Sequence, residues 1–257
     1  MSSSPLAQLY YEISHKLVRT DSELIEIINS NAGVRIQTVN LHHIYLATKD
    51  QTFRDGISQA DYVTADGWPV AFVYGNLSPA VERCTGADLV HQLVSGDQID
   101  AKRIALIGAS PESGSKFGEM LRLNNKELVF SEHGSVEEWS QIQLAARVTH
   151  AQADLVLVAV TPPSGENFAA ALASTFDECN VIAVGGAIDM TVGQTPRAPQ
   201  IFQKFGLEWM FRLGLEPRRM YRRYVLQCGP VFIQTLLLLR KVRRRVSSNV
   251  DEVRIAE

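Results

Sequence analysis

The run "ADLVLVAVTPPS", residues 153–164, constrains the fold more than any other stretch. Seven of its first eight residues are apolar with no polar alternation, and a turn follows at once. A strand of that kind is at home only where both sheet faces are covered, as in a parallel sheet with helices on either side. Similar runs recur in "GVRIQTVN", "DYVTADG", "KRIALIGAS", "LVFSEHGS" and "NVIAVGGAID". Between them lie helical segments. Such segments are expected over 68–95, broken at Gly75, Pro79 and Gly86, and others over 111–124, 136–151 and 165–174, with a short helix following the strand at "RIQTVN". Strands alternating with helices at this spacing predict βαβ units and an α/β fold, a Rossmann-like parallel sheet flanked by helices. Right-handed crossovers place the loops after the strands on one edge, where ligands bind in such sheets. Asp66, Gly108–Ser110, His133, Thr161–Ser164 and Gly185–Asp189 all fall in those loops.

Asp66 closes a β-branched run in an Ala-Asp-Gly turn. Ordinary turn chemistry accounts for such a residue, and so does a carboxylate held at a strand end facing a cleft. The three cysteines, Cys84, Cys179 and Cys228, have no ligand or Cys-x-x-Cys spacing and read as scattered buried thiols in a reducing compartment. The opening "MSSSPLAQLYYEISHKL" has no basic segment followed by an apolar core, so a cytoplasmic protein is expected.

From Gln200 the character changes. Residues 207–245 hold ten Arg or Lys against two Glu, a local balance of +8, which leaves −11 for the rest of a chain whose net charge is −3. This divides the chain into a core at 1–199 and a basic amphipathic appendage at 200–257. The run "GPVFIQTLLLLRKVRRRV" joins apolar to cationic residues, and Gln227, Pro230 and Gln234 interrupt it. Its apolar part falls short of the roughly 20 residues that span a bilayer, so a helix lying on an anionic membrane surface is expected. Nucleic acid fits less well, because the basic face runs into an apolar one. In "RLGLEPRRMYRRY", Arg212, Arg219 and Arg223 share neighbouring helical positions, with Arg218 and Arg222 a step around. Guanidinium groups so crowded call for a diphosphate or lipid headgroups among them.

Among chemical motifs, "ALIGASPESG" lacks the G-x-G-x-x-G spacing of a dinucleotide site, though its turn could lay a helix N-terminus at Gly108 against a phosphate. No Walker A, G-x-S-x-G, His-Glu-x-x-His or Asp-x-Asp sequence occurs. No cofactor or metal is expected, and arginines would neutralise a diphosphate leaving group in place of a cation.

Five stretches together resemble the WecG/TagA/CpsF glycosyltransferases: "TVN" at 38–40, "ADG" at 65–67, "ERCTGADL" at 82–89, "GGAIDMTVGQTPRAP" at 185–199 and "GLEWMFRLGLEPRRMYRRY" at 206–224. That resemblance implies an inverting, metal-independent transferase. It would act from a UDP-sugar donor to a polyprenyl-diphosphate-linked sugar at the cytoplasmic face of the plasma membrane, in exopolysaccharide or cell-surface polymer assembly. Donors in the family include glucose, N-acetylmannosamine and its uronic acid. It makes Asp66 the general base and sets Thr38 and Asn40 in the sugar pocket. Arg83, Gly108, Glu166, Gly186 and Asp189 become candidate substrate contacts, and Arg212, Arg219, Arg222 and Arg223 candidate diphosphate or membrane contacts. Arg83, Asp88, Asp189 and Arg197 equally suit ion pairing that holds loops. One departure stands out: family members usually read Gly-x-Pro-Lys-Gln-Glu where this chain reads "TPPSGEN", so that Ser164 and Gly165 replace Lys and Gln. The alternative reading is a non-catalytic scaffold of a polysaccharide assembly complex. A homo-oligomer is possible on either reading.

Overall fold

The structure, a computed structural model, describes residues 4–77, 81–176 and 178–255; Pro79, expected above to break a helix, lies outside them. Its elements run α1 (Pro5–Ser14), β1 (Leu17–Val18), α2 (Asp21–Ser30), β2 (Arg35–Val39), α3 (Leu41–Ala47), α4 (Gln51–Ser58), β3 (Tyr62–Ala65), α5 (Trp68–Gly75) and α6 (Gly86–Ser95). There follow β4 (Arg103–Ile107), α7 (Pro111–Leu123), β5 (Glu127–Glu132), α8 (Gln141–His150), β6 (Leu155–Val158), α9 (Ser164–Ala173), β7 (Asn180–Ala183) and α10 (Ala187–Thr191). The C-terminal part comprises α11 (Gln200–Lys204), α12 (Glu208–Leu215), α13 (Pro217–Tyr221), a π-helical stretch over Arg222–Cys228 and α14 (Gly229–Ile255).

Among the described residues, seven strands form one all-parallel sheet in the order β1-β3-β2-β7-β6-β4-β5. The expected α/β class and parallel sheet are therefore present. All four residues of β6 and of β7 are buried, as double coverage of the sheet requires. One face packs Ile36, Ile104, Leu106, Leu155, Leu157 and Ile182 against α2, α6 and α7. The other splits in two. Ala105, Ile107, Val156, Val158 and Val181 meet α8 and α9, while Val39, Val63 and Ala65 meet α1, α3, α4, α5 and Val231 of α14.

Two differences from the sequence reading concern local structure. The helix expected over 136–151 begins as a 3-10 turn, Val136–Glu138, and only then forms α8. The N-terminal elements α1, β1 and α2, and also α4, add to those expected. α4 is one-sided, with Phe53 and Ile57 four residues apart on its buried face, but these are the only two apolar side chains in its eight residues, too short a pattern to stand out in the sequence.

A third difference concerns the continuity of the tail helix. Gln227, Pro230 and Gln234 do not break the helix: Pro217–Arg244 is one helical run of 28 residues that meets the length and composition of a membrane-crossing helix, while its uncharged part, residues 224–239, is shorter, as expected. The reason is local. Pro230 sits in the first turn of α14, directly after the π-helical stretch, where the regular hydrogen-bond ladder is already displaced and the missing N–H costs little. One stripe of this helix packs on the protein through Cys228, Val231, Thr235 and Leu239. Tyr10 Oη hydrogen-bonds Thr235 Oγ1 at 3.2 Å, and Phe232 meets Trp68 edge-on at 5.3 Å. Only 22% of its most apolar window is buried, so Leu226, Ile233 and Leu237 face outward.

Candidate active site

Strand register builds the site. Val39 of β2 lies beside Ala65 of β3, so the next residues, Asn40 and Asp66, emerge side by side at the carboxyl edge of the sheet. Asp66 N–H donates to Val39 O at 2.9 Å, which fixes the turn. Asn40 caps α3, its Oδ1 accepting from His42 N at 3.0 Å and His43 N at 3.3 Å. Its Nδ2 then donates to Asp66 Oδ2 at 3.3 Å. Gly67 follows with φ +95, a conformation that leads the chain into α5 and that L-residues rarely adopt.

Asp66 faces a cleft of about 220 Å³ walled by the core and by the C-terminal helices. The core contributes Asn40, His42, Trp68 and Arg83, and the C-terminal part contributes Glu208, Trp209, Arg212, Arg223 and Tyr224. Gly206, at φ +66, lets Trp68 approach: a Cβ there would stand 3.1 Å from the Trp68 Cβ. The arginines of the cleft differ in kind. Arg83 is engaged, bonded to Glu208 at 3.1 Å and to Asp88 at 3.3 Å, and Asp88 also pairs with Arg197. These ion pairs tie the loop before α6 to α12. Among the described residues, Arg212 hydrogen-bonds only the Met190 thioether sulfur at 3.0 Å, and the buried Nε of Arg223 has no hydrogen-bond partner. Neither forms an ion pair with a carboxylate among the described residues. The cleft is therefore lined by the Asp66 carboxylate and by two guanidinium groups that form no ion pair among the described residues.

The remaining expected residues lie elsewhere. Arg219 is two-thirds exposed and paired with Glu216 at 2.7 Å, and Arg218 and Arg222 are exposed, so the five arginines do not converge on one point. Thr38 is buried and donates to Ala183 O at 3.2 Å, tying β2 to β7. Gly108, Gly186 and Asp189 gather at the ends of β4 and β7, and Asp189 accepts from Ser113 Oγ of α7 at 2.6 Å. Gly108 has a steric reason to be glycine: at φ +99, a Cβ would stand 2.3 Å from Val160 Cγ2. Glu166 does not line the cleft, being 5% exposed and bonded to His43 at 2.9 Å. In the departing "TPPSGEN" loop, a Cβ on Gly165 would meet the Val160 carbonyl oxygen at 2.3 Å, so this backbone has no room for the glutamine common at that position.

His42, His43, Trp209 and Tyr224 were not expected. A signal existed for His43: Asn at the cap with a hydrogen-bonding side chain three residues on is a capping-box pattern. His42 is pushed down to about 4, chiefly by burial and then by the Arg223 and His43 charges, against a hydrogen bond with Gln227. Since the folded value lies below the ordinary one, the unfolded chain binds the proton more readily between roughly pH 6.5 and 4, and stability falls as pH drops through that window. His42→Gln is expected to flatten that part of the curve of Tm against pH. A variant curve parallel to the wild type would contradict the assignment.

Among the described residues, no three His, Cys, Asp or Glu side chains group so as to hold a metal ion. A parallel α/β sheet with a carboxylate and arginines lining a cleft at its carboxyl edge has the form of a group-transfer enzyme. The sequence model of the glycosyl transferase WecG/TagA/CpsF family matches residues 13–247, and the chain belongs to that family. It is a glycosyltransferase. Similar proteins include N-acetylglucosaminyldiphosphoundecaprenol N-acetyl-beta-D-mannosaminyltransferases of Staphylococcus aureus. That of strain MRSA252 is 25% identical and that of strain NCTC 8325 is 24% identical, each over 218 residues covering 84% of either chain.

Proposed function

We propose that the chain transfers an N-acetylmannosamine-type hexosamine, with inversion and without a metal ion, from a UDP-sugar to a sugar on a polyprenyl diphosphate. The observation that supports this best is the cleft itself: Asp66, oriented by Asn40, lines it together with Arg212 and Arg223, which lack carboxylate partners among the described residues. Asp66 takes the proton of the acceptor hydroxyl as it attacks the anomeric carbon. The C1–O bond to the β-phosphate breaks, and Arg212 and Arg223 stabilise the departing UDP. The donor's nucleoside lies along the rim formed by Gly108, Gly186 and Asp189, on the same carboxyl edge. The test is mass detection of product from UDP-N-acetylmannosamine and a short-chain lipid diphosphate bearing N-acetylglucosamine, with and without excess EDTA. Product in both conditions supports the reading; no product with any UDP-sugar overturns it, and loss of product in EDTA overturns metal independence.

The division at residues 199 and 200 and the cytoplasmic, peripheral placement belong to the same proposal. Leu226, Ile233 and Leu237 are exposed at seven- and four-residue spacing, near the cations Arg240, Lys241, Arg243 and Arg244. Such a face suits an anionic bilayer surface. Deleting the helix would also strip Val231, Thr235 and Leu239 from the core, so substitution is the cleaner probe. Replacing all three outward residues by Ser is expected to weaken binding to phosphatidylglycerol vesicles at least about tenfold. Turnover of a water-soluble short-chain acceptor should persist. Unchanged sedimentation with vesicles would remove this face as the docking surface.

A further inference from the structure

Behind the cleft wall lies a buried polar chain that substrate contact does not explain. Glu166 is in the first turn of α9 and His43 in the first turn of α3; they are 5% and 3% exposed. His43 Nδ1 accepts the Asn40 backbone N–H at 3.0 Å. The imidazole proton therefore sits on Nε2, which needs an acceptor, and Glu166 Oε1 provides it at 2.9 Å. The other Glu166 oxygen is buried without a partner among the described residues. On its far side the chain reaches the reacting group: Asn40 Nδ2 donates to Asp66 Oδ2 at 3.3 Å. Phe53 of α4 stacks on the imidazole, with ring planes 8° apart and centroids at 5.9 Å, and holds its plane.

A half-satisfied buried carboxylate is an expensive way to cap a helix. A glutamate or glutamine at position 43 would close the same capping box unaided. An imidazole there instead has a second nitrogen, and that nitrogen draws in a carboxylate 123 residues away. What this adds is rigidity. It locks the start of α9 to the start of α3, and so to the residue that aims the base.

We infer that Glu166 and His43 are positioning residues that act through Asn40 to hold the Asp66 carboxylate in its reactive orientation, and that neither touches substrate. The inference rests on the reading of Asp66 as general base. It moves Glu166 from a substrate contact to a support behind the wall. A misplacement of about 1 Å at a reacting group can cost on the order of 10²-fold in rate, and loss of an outer hydrogen-bond partner commonly costs about 10–100-fold.

The experiment is a cycle of variants in the full chain, using the donor and acceptor named above, with kcat, donor KM and UDP affinity measured separately. His43→Leu is expected to lower kcat by about 10–100-fold while UDP affinity stays within about twofold. In an Asn40→Ala background the same substitution should change kcat by less than about twofold, because its route to Asp66 is already cut. Glu166→Gln keeps an acceptor oxygen and should stay within about threefold of wild type, whereas Glu166→Leu should fall as far as His43→Leu. This second pair covers the case in which His43→Leu does not fold. Full multiplicative effects of Asn40→Ala and His43→Leu would overturn the relay, as would a Glu166→Gln enzyme as impaired as Glu166→Leu. Asp66→Asn separates the two ideas: wild-type transfer by that variant overturns the base itself, while an inactive Asp66→Asn with multiplicative His43 and Asn40 effects overturns the relay alone.

Discussion

Asp66→Asn is expected to lower kcat by about 10²–10⁴-fold, the contribution typical of a positioned general base. UDP affinity should stay near that of the wild type. The substitution keeps the shape of the side chain and can keep a hydrogen bond with Asn40 through its amide oxygen, so the turn after β3 should survive. What it removes is the capacity to accept a proton as the acceptor oxygen attacks. Isothermal titration with UDP and steady-state turnover separate the two quantities. A variant that binds UDP and turns over at the wild-type rate would exclude Asp66 as the base. One that loses UDP binding as well would show that Asp66 mainly holds the cleft open.

The second large effect is expected from the cations. Arg212→Gln and Arg223→Gln should each reduce kcat by about 10²–10³-fold, as when one preorganised group that stabilises developing charge is lost. Lysine should recover only part, since it cannot present the planar fork of donors that grips a diphosphate from two sides. Arg219→Gln and Arg222→Gln should change kcat by less than about threefold, as expected for exposed charges. Arg219 is already paired with Glu216, and Arg222 lies on the surface. Position in the fold thus splits a cluster that looks uniform in sequence. Equal losses at all four positions would mean that the basic segment acts as one electrostatic patch, and that the cleft is not its focus.

Much of this was legible in the amino-acid sequence, for identifiable reasons. The core strands announce themselves because "LVLV" and "NVIA" are buried on both faces and need no polar alternation. Asp66 was legible as a strand-end residue in an Ala-Asp-Gly turn, but ordinary turn chemistry explains that turn equally well, and only the family resemblance singled it out as a base. Its partnership with Asn40 was not legible, since it follows from the register of β2 on β3, a long-range property. The same limit hid the pairing of His43 with Glu166. Helical spacing placed Arg212, Arg219 and Arg223 together, yet the helix breaks between α12 and α13, and the π-helical stretch rotates Arg223 inward. The continuity of the tail helix was not legible because Pro230 looks like a breaker, and nothing local reveals the π-helical stretch that accommodates it.

A structure of the protein with UDP bound tests the central claim most directly. The account predicts a β-phosphate oxygen at about 2.7–2.9 Å from a guanidinium nitrogen of Arg212 or Arg223, the range of charge-assisted hydrogen bonds, with Asp66 across the space the sugar would fill. UDP seated on another face of the sheet, or with its diphosphate turned away from Asp66 and both arginines, would contradict it.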